Sequence, residues 1–298
     1  MTARIGWRAL APAARGVAVA AFLAAGASCA ELAGPMSPLV EAPAWQHVAL
    51  GAEDADFVGA IDLAAVRADP VFGALAAALA HREDMGALAT ASQIDLVGTL
   101  DRDERPSWIA VVHGVDGRPS TRDFGSDAAT AVVAPGEWIL GEGEALDRVR
   151  RGGVGPFPPI AMPSRALFAG TVRARAIPHP RHAVFGDMTE GLEEASVAIL
   201  GGSHLELVMD CRYADAASAS HAAAAARLAL VAVASRSDAP AALARALVHV
   251  DFDVTGDDVA LRVVLADDLR TVLQTYVEAS VDELAGRRRG DRAGKQAE

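Results

Sequence analysis

The chain is almost without lysine: Lys295 stands alone against 26 arginines in 298 residues. No lysine is left within the body to form a Schiff base, act as a general-base amine or grip a phosphate, so serine–lysine and phosphate-loop chemistries are excluded. Cysteine is scarce as well, with Cys29 and Cys211 only, so a single disulfide is the most the chain could form. Positive charge is in deficit. The formal net charge is −12, and without residues 1–28, which hold three arginines and no acid, 24 basic residues face 39 acidic ones. Such a surface repels phosphate backbones, and nucleic acid is excluded as a partner. Catalytic strings are missing too. No Gly-x-Ser-x-Gly occurs, Gly125-Ser126-Asp127 lacks the second glycine, and Gly141-x-Gly143 lacks the third glycine of a dinucleotide turn.

What is present begins at the N-terminus. Arg4, Arg8 and Arg15 precede an apolar run, Gly16–Ser28, that stops at Cys29. The run is shorter than the roughly 20 apolar residues a spanning helix requires, so it reads as a cleaved export signal. Gly26-Ala27-Ser28-Cys29 resembles the lipobox of bacterial lipoproteins, although Gly26 stands where that family usually carries leucine and the nearest leucine is Leu23. The resemblance covers about a tenth of the chain. It implies a diacylglyceryl thioether on Cys29, a membrane partner through that lipid and, because Ala30 rather than an aspartate follows, the outer membrane. Ordinary signal cleavage after Ala27, leaving a soluble periplasmic or secreted protein, is the other reading.

The remainder divides by composition. Residues 29–55, with Pro35, Pro38 and Pro43, read as a lipid-attached tether in which Trp45 is a local packing anchor. Residues 56–151 read as an α+β domain or first half. A strand near Phe57–Ile61 leads to a helix over 71–81 capped by Asp69-Pro70. A strand over 108–112, a hairpin of 131–133 with 138–140, and a short helix over 142–150 with Leu146 and Val149 inward complete it. Residues 152–163, rich in Gly and Pro, read as a linker. Residues 164–286 read as a second α+β half: a strand over 167–175, a helix ending near Glu194, a hairpin of 197–200 with 205–213, an alanine-rich helix over 214–235, a hairpin of 247–254 with 259–265, and a closing helix. In the first hairpin Leu205, Leu207, Met209, Cys211 and Tyr213 share the inward face. In the second, Val248, Val250, Phe252 and Val254 oppose Val259, Leu261, Val263 and Leu265. Residues 287–298 read as a disordered tail.

The fold class expected is therefore α+β, with antiparallel sheets built from hairpin–helix units and helices on one face. Phe57-x-Gly-x-Ile before Val71-Phe72-Gly73 is echoed by Phe168-x-Gly-x-Val before Val184-Phe185-Gly186, as a duplicated unit would give. Metal-like strings are weak. Asp251-x-Asp253-x-Thr255-Gly256 opens like a calcium loop, but its twelfth position is Arg262. His179 and His182 lack a third ligand near in sequence. No metal or cofactor is expected, and pairs such as Asp101 with Asp103 or Glu193 with Glu194 read as solvated. Together these features point to a lipid-anchored envelope protein that binds a partner protein or apolar ligand, or plays a structural part, without catalysis. The alternative is a secreted or periplasmic hydrolase whose site is assembled from distant Asp, Glu and His.

Overall fold

The computed structural model describes residues 55–80, 89–100, 106–115, 129–134, 136–141, 143–152, 157–174, 188–235 and 252–265, with 43, 45, 46, 50, 250, 270, 271, 274 and 275. Among them ten strands form one open, wholly antiparallel sheet. In chain order they are β1 (Phe57–Asp62), β2 (Gln93–Leu100), β3 (Pro106–His113), β4 (Ala129–Ala134), β5 (Glu137–Gly141), β6 (Ala166–Arg173), β7 (Leu192–Leu200), β8 (Leu205–Tyr213), β9 (Phe252–Thr255) and β10 (Asp258–Leu265). The helices are α1 (Leu63–Ala68), α2 (Gly73–Ala80), α3 (Gly143–Gly152) and α4 (Ala216–Ala234).

In space the strands run β4-β5-β3-β2-β1-β6-β7-β8-β10-β9. Outward from the centre, the first half therefore goes β1-β2-β3-β5-β4 and the second β6-β7-β8-β10-β9, the same succession. The halves meet at β1 and β6, where Gly59 lies opposite Gly170, Phe57 opposite Val172 and Ile61 opposite Phe168. With no side chain at either glycine, the two backbones meet beneath the Phe168 ring, and a Cβ at Gly59 would come within 3.4 Å of the Ala169 carbonyl.

Local chemistry accounts for several elements. Asp62 ends β1 and caps α1, accepting the Ala65 N–H at 2.8 Å. Asp69 accepts the N–H groups of Val71 and Phe72 at 2.8 and 3.2 Å and opens the turn into α2, the role its Asp-Pro pair predicts. Asp215 does the same for α4 through Ser218. Gly136 and Gly256, both at positive φ, turn the β4–β5 and β9–β10 hairpins.

Side-chain alternation gives the sheet two faces. On one, Val112, Trp138 and Leu140, then Leu207, Leu261 and Val263, and finally Cys211, Tyr213 and Val259 form successive clusters, with α1 and α4 packed against them. On the other, Val97, Ile109, Val111 and Ile139 pack under Ala145, Leu146 and Val149 of α3. Helices thus cover both faces, not one. The reason is that β3 and β5 carry apolar side chains at successive positions, as strands buried on both sides do.

Three further expectations change. Residues 192–194 open β7 rather than closing a helix, because Leu192 and Glu194 pair with Tyr213 and Arg212 on β8. Residues 93–100, given no element by sequence pattern, form the interior strand β2 between β1 and β3. The proline-rich stretches on either side of the first half contribute to the core. Trp45 and Phe157 stack edge to face at 5.1 Å, and both are buried with Leu50 and Ile160. The closing helix, read from a cap at Asp267 or Asp268 to Gly286, falls largely outside the described residues, and the tail falls wholly outside them.

Candidate functional site

The buried chemistry of the first half gathers at the start of β2, the end of β3 and the start of β5. His113 lies opposite Gln93 on one side and Glu137 on the other. Asp95, two residues along β2, shares their face. It is completely buried, and His113 nearly so at 5% exposure. Each oxygen of Asp95 is engaged: Oδ1 accepts from Gln93 Nε2 at 2.6 Å, and Oδ2 accepts from the Ile160 N–H at 2.8 Å and from His113 Nε2 at 2.9 Å. Gln93 Nε2 also donates to the Ile160 carbonyl at 2.9 Å. On its far side His113 Nδ1 stands 3.5 Å from Glu137 Oε1. Glu137 Oε2 is buried with no hydrogen-bond partner among the described residues.

One imidazole is thus held between two carboxylates. Burial alone lowers its basicity, but the hydrogen bond and charge of Asp95, joined by Glu137, outweigh that and raise its pKa above the ordinary histidine value. The arrangement can store a proton. It is poorly made for nucleophilic catalysis, because each ring nitrogen already faces a carboxylate and none is left to activate a hydroxyl or water.

A second polar centre occupies the same end of the sheet in the other half. Glu206, buried on β8, takes Arg262 through two guanidinium nitrogens and Arg165 at 3.4 Å. Arg165, at φ 67, is among the described residues the non-glycine one held in the left-handed region, and its Nε donates to the Gly201 carbonyl at 2.7 Å. Between the two centres runs the coil 157–165. It is fastened by Trp45 Nε1 to the Pro158 carbonyl at 3.3 Å, by Asp95 and Gln93 at Ile160, and by Arg165 at the β7–β8 turn. The stretch read as a linker is in effect a strap across the sheet end.

The residues singled out by sequence fare differently. Cys29, His179, His182 and Asp251 lie outside the described residues, as do Asp101 and Asp103. Cys211 faces inward as its register predicts, and burial pushes its thiol up to about 12, so it is an inert core residue. Asp253, Thr255 and Gly256 belong to the β9–β10 hairpin, while Arg262 is committed to Glu206. Among the described residues no group of three or more His, Cys, Asp or Glu side chains could hold a metal ion. Glu193 and Glu194 pair with Arg212 at 3.4 and 3.6 Å. Sequence reasoning missed Asp95, His113 and Glu137, which are 18 and 24 residues apart along the chain. The signal that could have found them is a polar residue at a position where β2 should bury an apolar one. No protein-family model, no curated protein and no solved structure matches this chain.

Proposed function

We propose that the chain is a lipid-anchored protein of the cell envelope, attached through Cys29 to the outer membrane, whose body binds an envelope protein or apolar ligand or serves a structural role without catalysis. The basic N-terminus, the short apolar run and the small residues before Cys29 support the anchor. The observation that supports the non-catalytic part is His113, both of whose nitrogens face carboxylates, Asp95 and Glu137. With both its nitrogens so engaged, His113 has none to turn to a substrate, and a hydrolase would have to draw on other residues. Among the described residues no helix is long and apolar enough to cross a membrane.

The body itself is a duplicated α+β unit of paired hairpins and helices. Its support is the identical strand succession of the two halves and the matched Phe-x-Gly motifs, which face each other across β1 and β6 about a local two-fold. Growing cells with a clickable fatty acid tests the anchor. Label should enter the mature protein and vanish in Cys29→Ala. An unlabelled mature protein beginning at Ser28 would sink the lipoprotein reading and leave a soluble exported protein in its place.

A further inference from the structure

We propose that Asp95, His113 and Glu137 form a proton-operated latch: only an imidazolium, with a hydrogen on each nitrogen, satisfies both carboxylates, and loss of one proton frees the β4–β5 edge of the sheet. Asp95 already accepts from Gln93 and Ile160 and is wholly buried, so its demand on His113 Nε2 is for a donor. When the ring becomes neutral, the remaining hydrogen stays on Nε2 and Nδ1 presents a lone pair to Glu137 Oε1. Glu137 then keeps no partner. Its Oε2 is buried and makes no hydrogen bond to any described residue, so the charge is stranded unless the side chain swings to water.

Glu137 is the first residue of β5. It faces His113 on β3 and Ala134 on β4, immediately after the positive-φ Gly136 of the hairpin turn. Its departure therefore unpicks the end of the hairpin that forms one margin of the sheet. No other described charge competes for the imidazole. From β2 come Asp95 and Gln93, and from the strap only the backbone of Ile160. Asp62 is occupied in capping α1, Arg67 reaches the Ala91 carbonyl, and Ser92 Oγ donates to the His113 carbonyl, not its ring. The direction in which His113 is shifted agrees, since the folded protein favours the charged ring.

The test uses the full chain. Imidazole proton resonances of His113 are followed by NMR between about pH 5 and 9, and amide exchange protection is measured across the same range. His113 should titrate above the ordinary histidine value, and protection at Trp138 and Ile139 should fall roughly three- to tenfold as it does so. Val263, on β10, should keep its protection. Glu137→Gln can donate its amide hydrogen to the neutral ring, so it should remove the step in protection while leaving the histidine titratable. Protection on β5 that ignores the titration of His113 in the unaltered protein would overturn the latch, and so would a step that persists in Glu137→Gln.

Discussion

Asp210 shows how one side chain's surroundings set a pH dependence. Half-buried on β8, its carboxyl is pushed up to about 6, first by burial and then by the charge of Asp258, with Arg212 pulling the other way. A carboxyl raised in the folded state stabilises the fold below its unfolded value near 3.8, and that contribution is lost as pH rises through about 6. Above that the fold carries a partly desolvated charge. Asp210→Asn should therefore be more stable than the parent at pH 8, by about 1 kcal/mol once solvent screening is allowed for, and much less so at pH 4. Urea midpoints at the two pH values give the answer, and an equal gain at both would show that charge is not the cause. At this scale the sequence is legible where side chains follow the rule of alternation. Cys211, Leu205 and Leu207 are buried where period-two spacing puts them. Asp95 is illegible for the same reason, because it is a carboxylate in a core position. Only its three donors, brought from β2, β3 and the strap, make that position tolerable.

Among the elements, the strap over 157–165 departs furthest from its sequence signature. Prolines and glycines forbid helix or strand there, and from composition alone that reads as freedom. What composition does not reveal is where the side chains go: Phe157 is fully buried and Ile160 nearly so. Phe157→Ala should cost about 3–5 kcal/mol through the cavity it leaves beneath Trp45. The loss is measurable by denaturant unfolding. Tryptophan emission of the folded variant should also shift to the red as water reaches the Trp45 ring. A cost under about 1 kcal/mol would mean that the strap is not part of the core. β2 was hidden for a related reason. Gln93 to Leu100 alternates in sequence, with Ile94, Leu96, Gly98 and Leu100 as the apolar set, but Asp95, Val97 and Thr99 of the other set are buried while Leu96 is exposed, so the burial runs against the polarity. The β9–β10 hairpin, whose turn carries glycine, was legible down to the pairing of Phe252 with Leu261 and Val254 with Val259.

For the whole molecule the question is whether ten strands unfold as one body. The halves are alike in strand succession but not in chemistry. Where His113 lies between Gln93 and Glu137, the corresponding row of the second half sets Arg212 between Glu194 and Asp258. Each half thus keeps its own polar centre, and what joins them is the β1–β6 ladder, the strap and the packing of Ala65, Val66 and Phe72 against Leu167, Leu205 and Leu207. The distribution of chromophores allows a direct test, because Trp45, Trp108 and Trp138 all lie in or before the first half, whereas Tyr213 and Tyr276 lie in the second. Tryptophan emission therefore reports one half, while far-ultraviolet dichroism reports both. If the shared ladder makes a single cooperative unit, the two signals will follow one transition with one midpoint. Gly170→Val sharpens the comparison. A Cβ there would stand 3.2 Å from the Val58 carbonyl and 3.1 Å from the Phe168 ring, forcing β1 and β6 apart at their crossing. The variant should lose about 1–3 kcal/mol, with both midpoints falling together although the substitution lies in the half that has no tryptophan. Separation of the two curves, or a tryptophan transition untouched by the substitution, would mean that the halves are stable independently and merely adjoin.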